Sequence, residues 1–300
     1  EKYPDFKIEL TGSQMLSNAF SEAAQSDITT LTPLMFLIIA IVIYITTRSI
    51  FGLLGTMITI TLSTFAAIGT AAWLGIPLSP PASGAPTIIL TVAVADCIHI
   101  LISTLVAQGN GSSKHEAIVE SLKVNAQPVF LTSVTTAIGL FSLNFSDSPP
   151  YQDLGNISAF GALFAWFLAM TLFPAILSLL PLKANSTISL QSGFMERLAK
   201  TVITYRRSLM VGMILVTVAF TALLPRLTFN DRFVEYFDSS TDFRVASDWA
   251  ADNLSGIYIL NFSLESGDIG GISNPDYLQN LDRFSQWMRS QPEVKHVASF

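Results

Sequence analysis

Residues 90–101 read LTVAVADCIHIL, an aspartate and a histidine three positions apart inside an otherwise apolar run. Extended to its polar edges, the run covers 87–107. That length suffices to cross the hydrocarbon core of a bilayer, which takes about 20 residues at 1.5 Å each. Comparable runs lie near 31–47, 50–75, 128–145, 154–180 and 208–224. Half of the 300 residues are hydrophobic and 13% are charged, a composition ordinary for a membrane protein and unusual for a soluble one. Six successive runs separated by polar loops outweigh the reading of any one as a buried core helix. The sequence therefore predicts an α-helical polytopic membrane bundle with six transmembrane helices.

Loop charge predicts the orientation, because Lys and Arg accumulate on the cytoplasmic side of short loops. Arg48 follows the first run, Lys114 and Lys123 follow the third, and Lys183, Arg197, Lys200, Arg206 and Arg207 lie between the fifth and sixth. The alternate loops, GIPLSPPASGAP (75–86) and NFSDSPPYQDLG (144–155), contain neither Lys nor Arg and are expected to face outward. The expected organisation is the end of a first exterior domain at 1–30, a five-helix bundle at 31–181, an amphipathic cytoplasmic connector at 182–207, a sixth span at 208–224 and the start of a second exterior domain at 225–300. The opening EKYPDFKIEL has neither a starting methionine nor a signal-peptide pattern, and with the ending HVASF it reads as a segment of a longer polypeptide.

Two connectors look amphipathic. In SSKHEAIVESLK (112–123), Ser113 and Glu116 have capping-box spacing, and Ile118 and Leu122 share a face. In GFMERLAKTVI (193–203), Phe194, Leu198 and Val202 line one face while Glu196, Arg197 and Lys200 point away, which suits a helix lying in the membrane interface. Beyond Pro225, a helix is expected in the second half of 230–256. IYILNFSLES (257–266) has strand character, Asn274-Pro275 starts a helix carrying Tyr277, Leu281, Phe284 and Met288, and VKHVASF (294–300) resumes as a strand. Strand, helix, strand predicts α+β exterior pieces of the ferredoxin-like type.

Residues 226–300 carry eleven acidic and six basic side chains, which accounts for most of the net charge of −6. That is a solvated exterior, and no nucleic-acid-binding patch is present. The single cysteine, Cys97, excludes an internal disulfide, and no metal or other cofactor is implied.

Asp96 is the one carboxylate inside the six runs. An Asp at the centre of a membrane helix is disfavoured by about 2.5–3.5 kcal/mol on insertion scales, so it needs a use or a partner. Helical spacing puts Asp96, His99 and Ser103 on one polar stripe. In FLTSVTTAIGLFSL (130–143), Thr132, Thr135, Thr136, Gly139 and Ser142 form a hydroxyl-bearing face expected to pack against that stripe and support it. Gly55, Thr59, Ser63 and Ala67 recur at i, i+4 in the second span and read as helix packing. A buried Asp beside a His can relay protons as a coupled pair, or can be a static hydrogen-bonded pair that fixes packing.

Together these motifs carry a family resemblance. VAVADCIHILI (92–102) resembles the fourth transmembrane helix of the resistance-nodulation-division (RND) superfamily, in its predicted-exporter and mycobacterial membrane protein large (MMPL)-like branches. LTSVTTAIGLFSL (131–143) resembles the fifth helix, FPAILSLLP (173–181) the end of the sixth, and DRFVEYFDSSTDFRVASDWAADNLSG (231–256) the opening of the second exterior domain. The group is related to sterol-sensing-domain and Patched-type proteins. The resemblance implies that the chain runs from the second to the seventh of twelve helices in a bacterial inner membrane, with exterior domains in the periplasm or outside. It implies a homo-oligomeric exporter, dimeric or trimeric, of lipids or hydrophobic small molecules, driven by protons, in contact with membrane lipids and without enzymatic activity. It also implies a proton-relay role for Asp96. RND drug pumps carry two adjacent Asp here and the mycobacterial branch Asp-Tyr, whereas this chain has Asp96-Cys97, which leaves His99 as the candidate for the second role. The alternatives are a sterol-sensing-type regulatory bundle without pumping and a proton-coupled aid to protein translocation. An intramembrane aspartyl protease needs a second membrane Asp that these runs lack.

Overall fold

The computed structural model describes residues 8–182, 188–228, 232–254 and 258–299. Contacts divide the chain into two units, one of Glu1–Glu22 with Thr228–Phe300 and one of Ala23–Leu227. Eleven α-helices occur among the described residues: α1 Ser13–Thr29, α2 Leu31–Thr47, α3 Ile50–Trp73, α4 Ala85–Gly109, α5 Lys114–Phe141, α6 Pro149–Met170, α7 Leu172–Leu179, α8 Ile188–Thr204, α9 Arg206–Leu223, α10 Asp242–Asn253 and α11 Pro275–Arg289. Six helical stretches among the described residues are long and apolar enough to cross a membrane: Ser13–Thr47, Ile50–Trp73, Pro81–Gly109, Lys114–Phe145, Pro149–Leu179 and Arg206–Arg226. The chain is a multi-pass helical membrane protein.

Local chemistry sets the helix ends. Arg48 turns left-handed (φ 48°) to close α2, and the Ser49 hydroxyl then accepts the Gly52 amide at 3.1 Å to open α3. Ser113 and Glu116 form the reciprocal capping box, with bonds of 3.4 and 3.0 Å. SSKHEAIVESLK is thus the start of α5 itself, which continues through Pro128 into the membrane. Two breaks share one cause. TLTP (30–33) separates α1 from α2 and TLFP (171–174) separates α6 from α7. In each, the proline has no amide to bond the carbonyl four residues back, and the threonine takes nearly the same conformation (φ −118°, ψ −62° and φ −117°, ψ −65°). The threonine hydroxyl bonds back four residues at 2.6 Å in both, to Ser26 O and to Phe167 O.

Within the larger unit α6 packs against α3, α4 and α5. Lipid offers helices no hydrophobic drive to associate, so close approach through small residues supplies the packing. A Cβ added at Gly161 of α6 would lie 2.2 Å from Ile89 of α4, and one at Gly52 of α3 2.7 Å from Leu101. The Gly55, Thr59, Ser63, Ala67 row is buried, with the Thr59 and Ser63 hydroxyls bonded to Gly55 O and Thr59 O of their own helix. In α8 the side chains of Leu198 and Val202 are exposed, while that of Phe194 lies outside the described residues.

In the smaller unit, Ala19, Val234 and Phe243 form a core with Met15, Leu16 and Phe237, and the Thr11 and Ser247 hydroxyls meet at 2.7 Å. α10 supplies the helix expected within 230–256, and α11 starts where Asn274-Pro275 predicts, with Asn274 Oδ1 accepting the Asp276 amide at 2.9 Å. The ferredoxin-like expectation does not hold. Among the described residues there is no β-strand, and 258–264 and 294–299 run without ladder partners. Alternation dictates only which side chains share a face, whereas a strand also needs a hydrogen-bonded neighbour. The apolar alternation is spent on the helix instead: Phe262 packs edge-on to Phe284 at 5.4 Å, and Tyr277 Oη donates to Leu264 O at 3.1 Å. An open cleft of about 910 Å³ remains between these segments and α11. The opening FKIEL (6–10) alternates like a strand; its first two residues lie outside the described ones, and 8–10 form no strand.

Candidate functional site: the α4–α5 seam

α4 buries Ala93, Asp96, Cys97, Ile100, Leu101 and Thr104, a stripe whose centre runs between Ala93, Cys97, Ile100 and Thr104. At 100° per residue Asp96 lies on the edge of that stripe and His99 another 60° outside it. Asp96 is 3% exposed and is the one carboxylate among the buried described residues. His99 is exposed on the surface of the bundle and has neither a hydrogen bond nor an ion pair among the described residues.

The surface that meets this edge is an i, i+4 row on α5: Ala117, Ser121, Asn125, Val129, Ser133 and Ala137, all buried. Three of these side chains bond across to α4. Ser133 Oγ donates to Asp96 Oδ2 at 3.0 Å, Ser121 Oγ donates to Ile100 O at 2.7 Å, and Asn125 Nδ2 donates to Ser103 Oγ at 2.9 Å. Asn125 also donates to Ser121 O at 2.9 Å, which ties the row together. Two of the three hydrogen-bonded pairs thus involve stripe residues named from the sequence, Asp96 and Ser103, and bring them onto the same seam.

The supporting face lies elsewhere than the sequence reading put it. Thr132 and Thr135 are exposed and return their hydroxyls to carbonyls of α5, Pro128 O and Leu131 O, at 3.1 and 2.8 Å. Thr136 is half-buried, and Ser142 is exposed with its hydroxyl on Gly139 O. A threonine that satisfies its own hydroxyl within the helix can face lipid without an unpaired polar group, so hydroxyl count alone does not mark the packed face. Ser133, Ser121 and Asn125 were missed, although their four-residue spacing with two alanines was visible in the sequence.

Magnitudes separate Asp96 from the rest of the seam. Interhelical hydrogen bonds in membranes return on average about 0.6 kcal/mol and at most about 1.7. A central Asp costs about 2.5–3.5 kcal/mol to place there. One serine bond does not offset that, and Asp96 has no ion-pair partner among the described residues. Ser121 and Asn125 are accounted for as packing; Asp96 is not. Cys97 is fully buried next to Thr59 of α3, away from the seam. Among the described residues no three His, Cys, Asp or Glu side chains cluster closely enough to hold a metal ion.

The family model of the MMPL family matches residues 2–192. The membrane protein MJ1562 of Methanocaldococcus jannaschii is 26% identical over 178 residues, a match that spans 58% of this chain and 45% of that relative, so the chain covers less than half of the relative's length. The family match takes in α1 to α7 and the whole α4–α5 seam, and with well over half of its residues inside that match the chain belongs to the MMPL family.

Proposed function

We propose that this chain is part of a proton-driven RND-type exporter of lipids or hydrophobic small molecules, with Asp96 as the intramembrane group that takes up and releases the proton. The supporting observation is the uncompensated cost of Asp96: among the described residues, a buried carboxyl held by one serine and no cation, in a bundle whose other buried polar side chains are neutral. A carboxyl that alternates between protonated and charged forms interacts differently with Ser133 in the two forms. It can thereby shift the seam between two packings and couple proton passage to substrate movement. His99, one turn along α4 from Asp96 but 60° further round and exposed, serves as the second relay residue in this reading. The loops rich in Lys and Arg are cytoplasmic and the smaller unit is exterior.

The test is efflux of a fluorescent phospholipid from proteoliposomes holding the full-length protein under an imposed pH gradient. Asp96→Asn keeps size and hydrogen-bonding capacity, so it should change stability by less than about 1 kcal/mol, leave abundance and melting temperature close to wild type, and abolish gradient-driven efflux. Undiminished gradient-driven efflux by the Asn variant contradicts the relay.

A further inference from the structure

α8 and the start of α9 combine features that point outside the protein. Leu198, Val202 and Tyr205 lie within 60° of one another on the helical wheel, and all three are exposed. On the opposite side Lys200 pairs with Glu196 at 2.6 Å, which leaves Arg197 without an ion pair among the described residues. Arg206 and Arg207 follow at once, Arg206 donating to Ile203 O at 3.0 Å across the elbow between the two helices. Over 188–207 the charges are one Glu against Lys200, Arg197, Arg206 and Arg207, a net +3. α9 then enters a stretch apolar enough to cross a membrane. An exposed apolar face beside an unbalanced basic face, ending on a Tyr-Arg-Arg anchor at the mouth of a span, matches in charge and depth the headgroup layer of an anionic bilayer.

We propose that the α8–α9 elbow docks on anionic phospholipid, with α8 flat in the interface, Leu198, Val202 and Tyr205 among the upper acyl chains, and Arg197, Arg206 and Arg207 on headgroup phosphates. The occupant is a lipid surface because the apolar face continues directly into the span. A basic groove for a soluble anion would not need Leu198 and Val202 exposed on the other side. The elbow then serves as an attachment for α9 that depends on lipid charge, independent of whether Asp96 carries protons.

The experiment places a spin label at Leu198→Cys or Lys200→Cys of the full-length protein, with other accessible cysteines changed to serine, in vesicles of phosphatidylglycerol or of phosphatidylcholine. Accessibility to oxygen and to an aqueous nickel chelate reports depth. In phosphatidylglycerol the label at 198 should be several-fold more accessible to oxygen than to nickel, and the label at 200 the reverse. In phosphatidylcholine, in high salt, or with Arg197, Arg206 and Arg207 all changed to Gln, the label at 198 should become several-fold more accessible to nickel. The same three positions changed to Lys should keep the wild-type pattern. A label at 198 that is aqueous in phosphatidylglycerol overturns the proposal. So does one that stays apolar in phosphatidylcholine and in the Gln variant, which would mean the face is covered by protein or by lipid of any charge.

Discussion

α4 and α9 both carry windows apolar enough to cross a bilayer, yet half of the α4 window is buried against other helices and none of the α9 window is. Hydropathy reports the solvent a helix accepts, while the size of residues along one face reports whether another helix can come close. α4 is met by Gly161 of α6 and Gly52 of α3, glycines into which Ile89 and Leu101 fit. α9 carries Met210, Met213, Leu215 and Phe220 exposed on all sides, and nothing lies within 4 Å of where a Cβ at Gly212 would be. The one helix is a packed element on which a costly carboxyl can be held in place. The other is in contact with lipid, or with protein beyond the described residues.

That contrast is most easily broken with glycines. Gly161→Leu should cost about 3 kcal/mol, the upper end for overpacking, and lower the abundance and melting temperature of the full-length protein. Gly212→Leu should leave both nearly unchanged; equal losses at the two positions would remove the distinction between packed and unpacked spans. Within the seam a smaller difference is expected. Ser133→Ala removes the one bond to Asp96 and should cost about 1 kcal/mol and slow gradient-driven efflux several-fold. Thr135→Ala, whose hydroxyl serves only its own helix, should do neither. The smallest effect lies in water. The Ser240 hydroxyl and amide both donate to Asp238 Oδ1, at 2.6 and 2.9 Å, and hold that carboxyl below its ordinary value. A group depressed on folding stabilises above its unfolded pKa and loses that contribution as pH falls through the folded one. Hydrogen exchange of peptides spanning 238–243 should therefore lose protection below about pH 4, less so in Ser240→Ala, with α4 peptides unaffected over the same interval.

Much of the fold was legible because its causes are local. Six apolar runs gave six spans, Ser113 with Glu116 gave a capping box, and Asn274-Pro275 gave the start of α11. The α5 face was misplaced by the weight given to hydroxyls. Thr132 and Thr135 stand out chemically, but the buried row is set by the four-residue repeat through Ser121, Asn125 and Ser133. His99 shares a polar stripe with Asp96 on paper. The apolar stripe of α4 is centred far enough to one side that Asp96 falls inside it and His99 outside, which only the neighbouring helices decide. The strands at 258–264 and 294–299 failed for a related reason, since pairing depends on a partner that alternation does not specify.

The central claim is that Asp96 exchanges a proton within the membrane. The most direct measurement is infrared difference spectroscopy of the full-length protein in lipid, stepped in pH between about 5 and about 9. A protonated-carboxyl C=O band that changes with pH in wild type, shifts in Ser133→Ala and is missing in Asp96→Asn is the predicted result. A carboxyl difference spectrum that is identical in wild type and Asp96→Asn would contradict it and leave Asp96 as a fixed member of the α4–α5 packing.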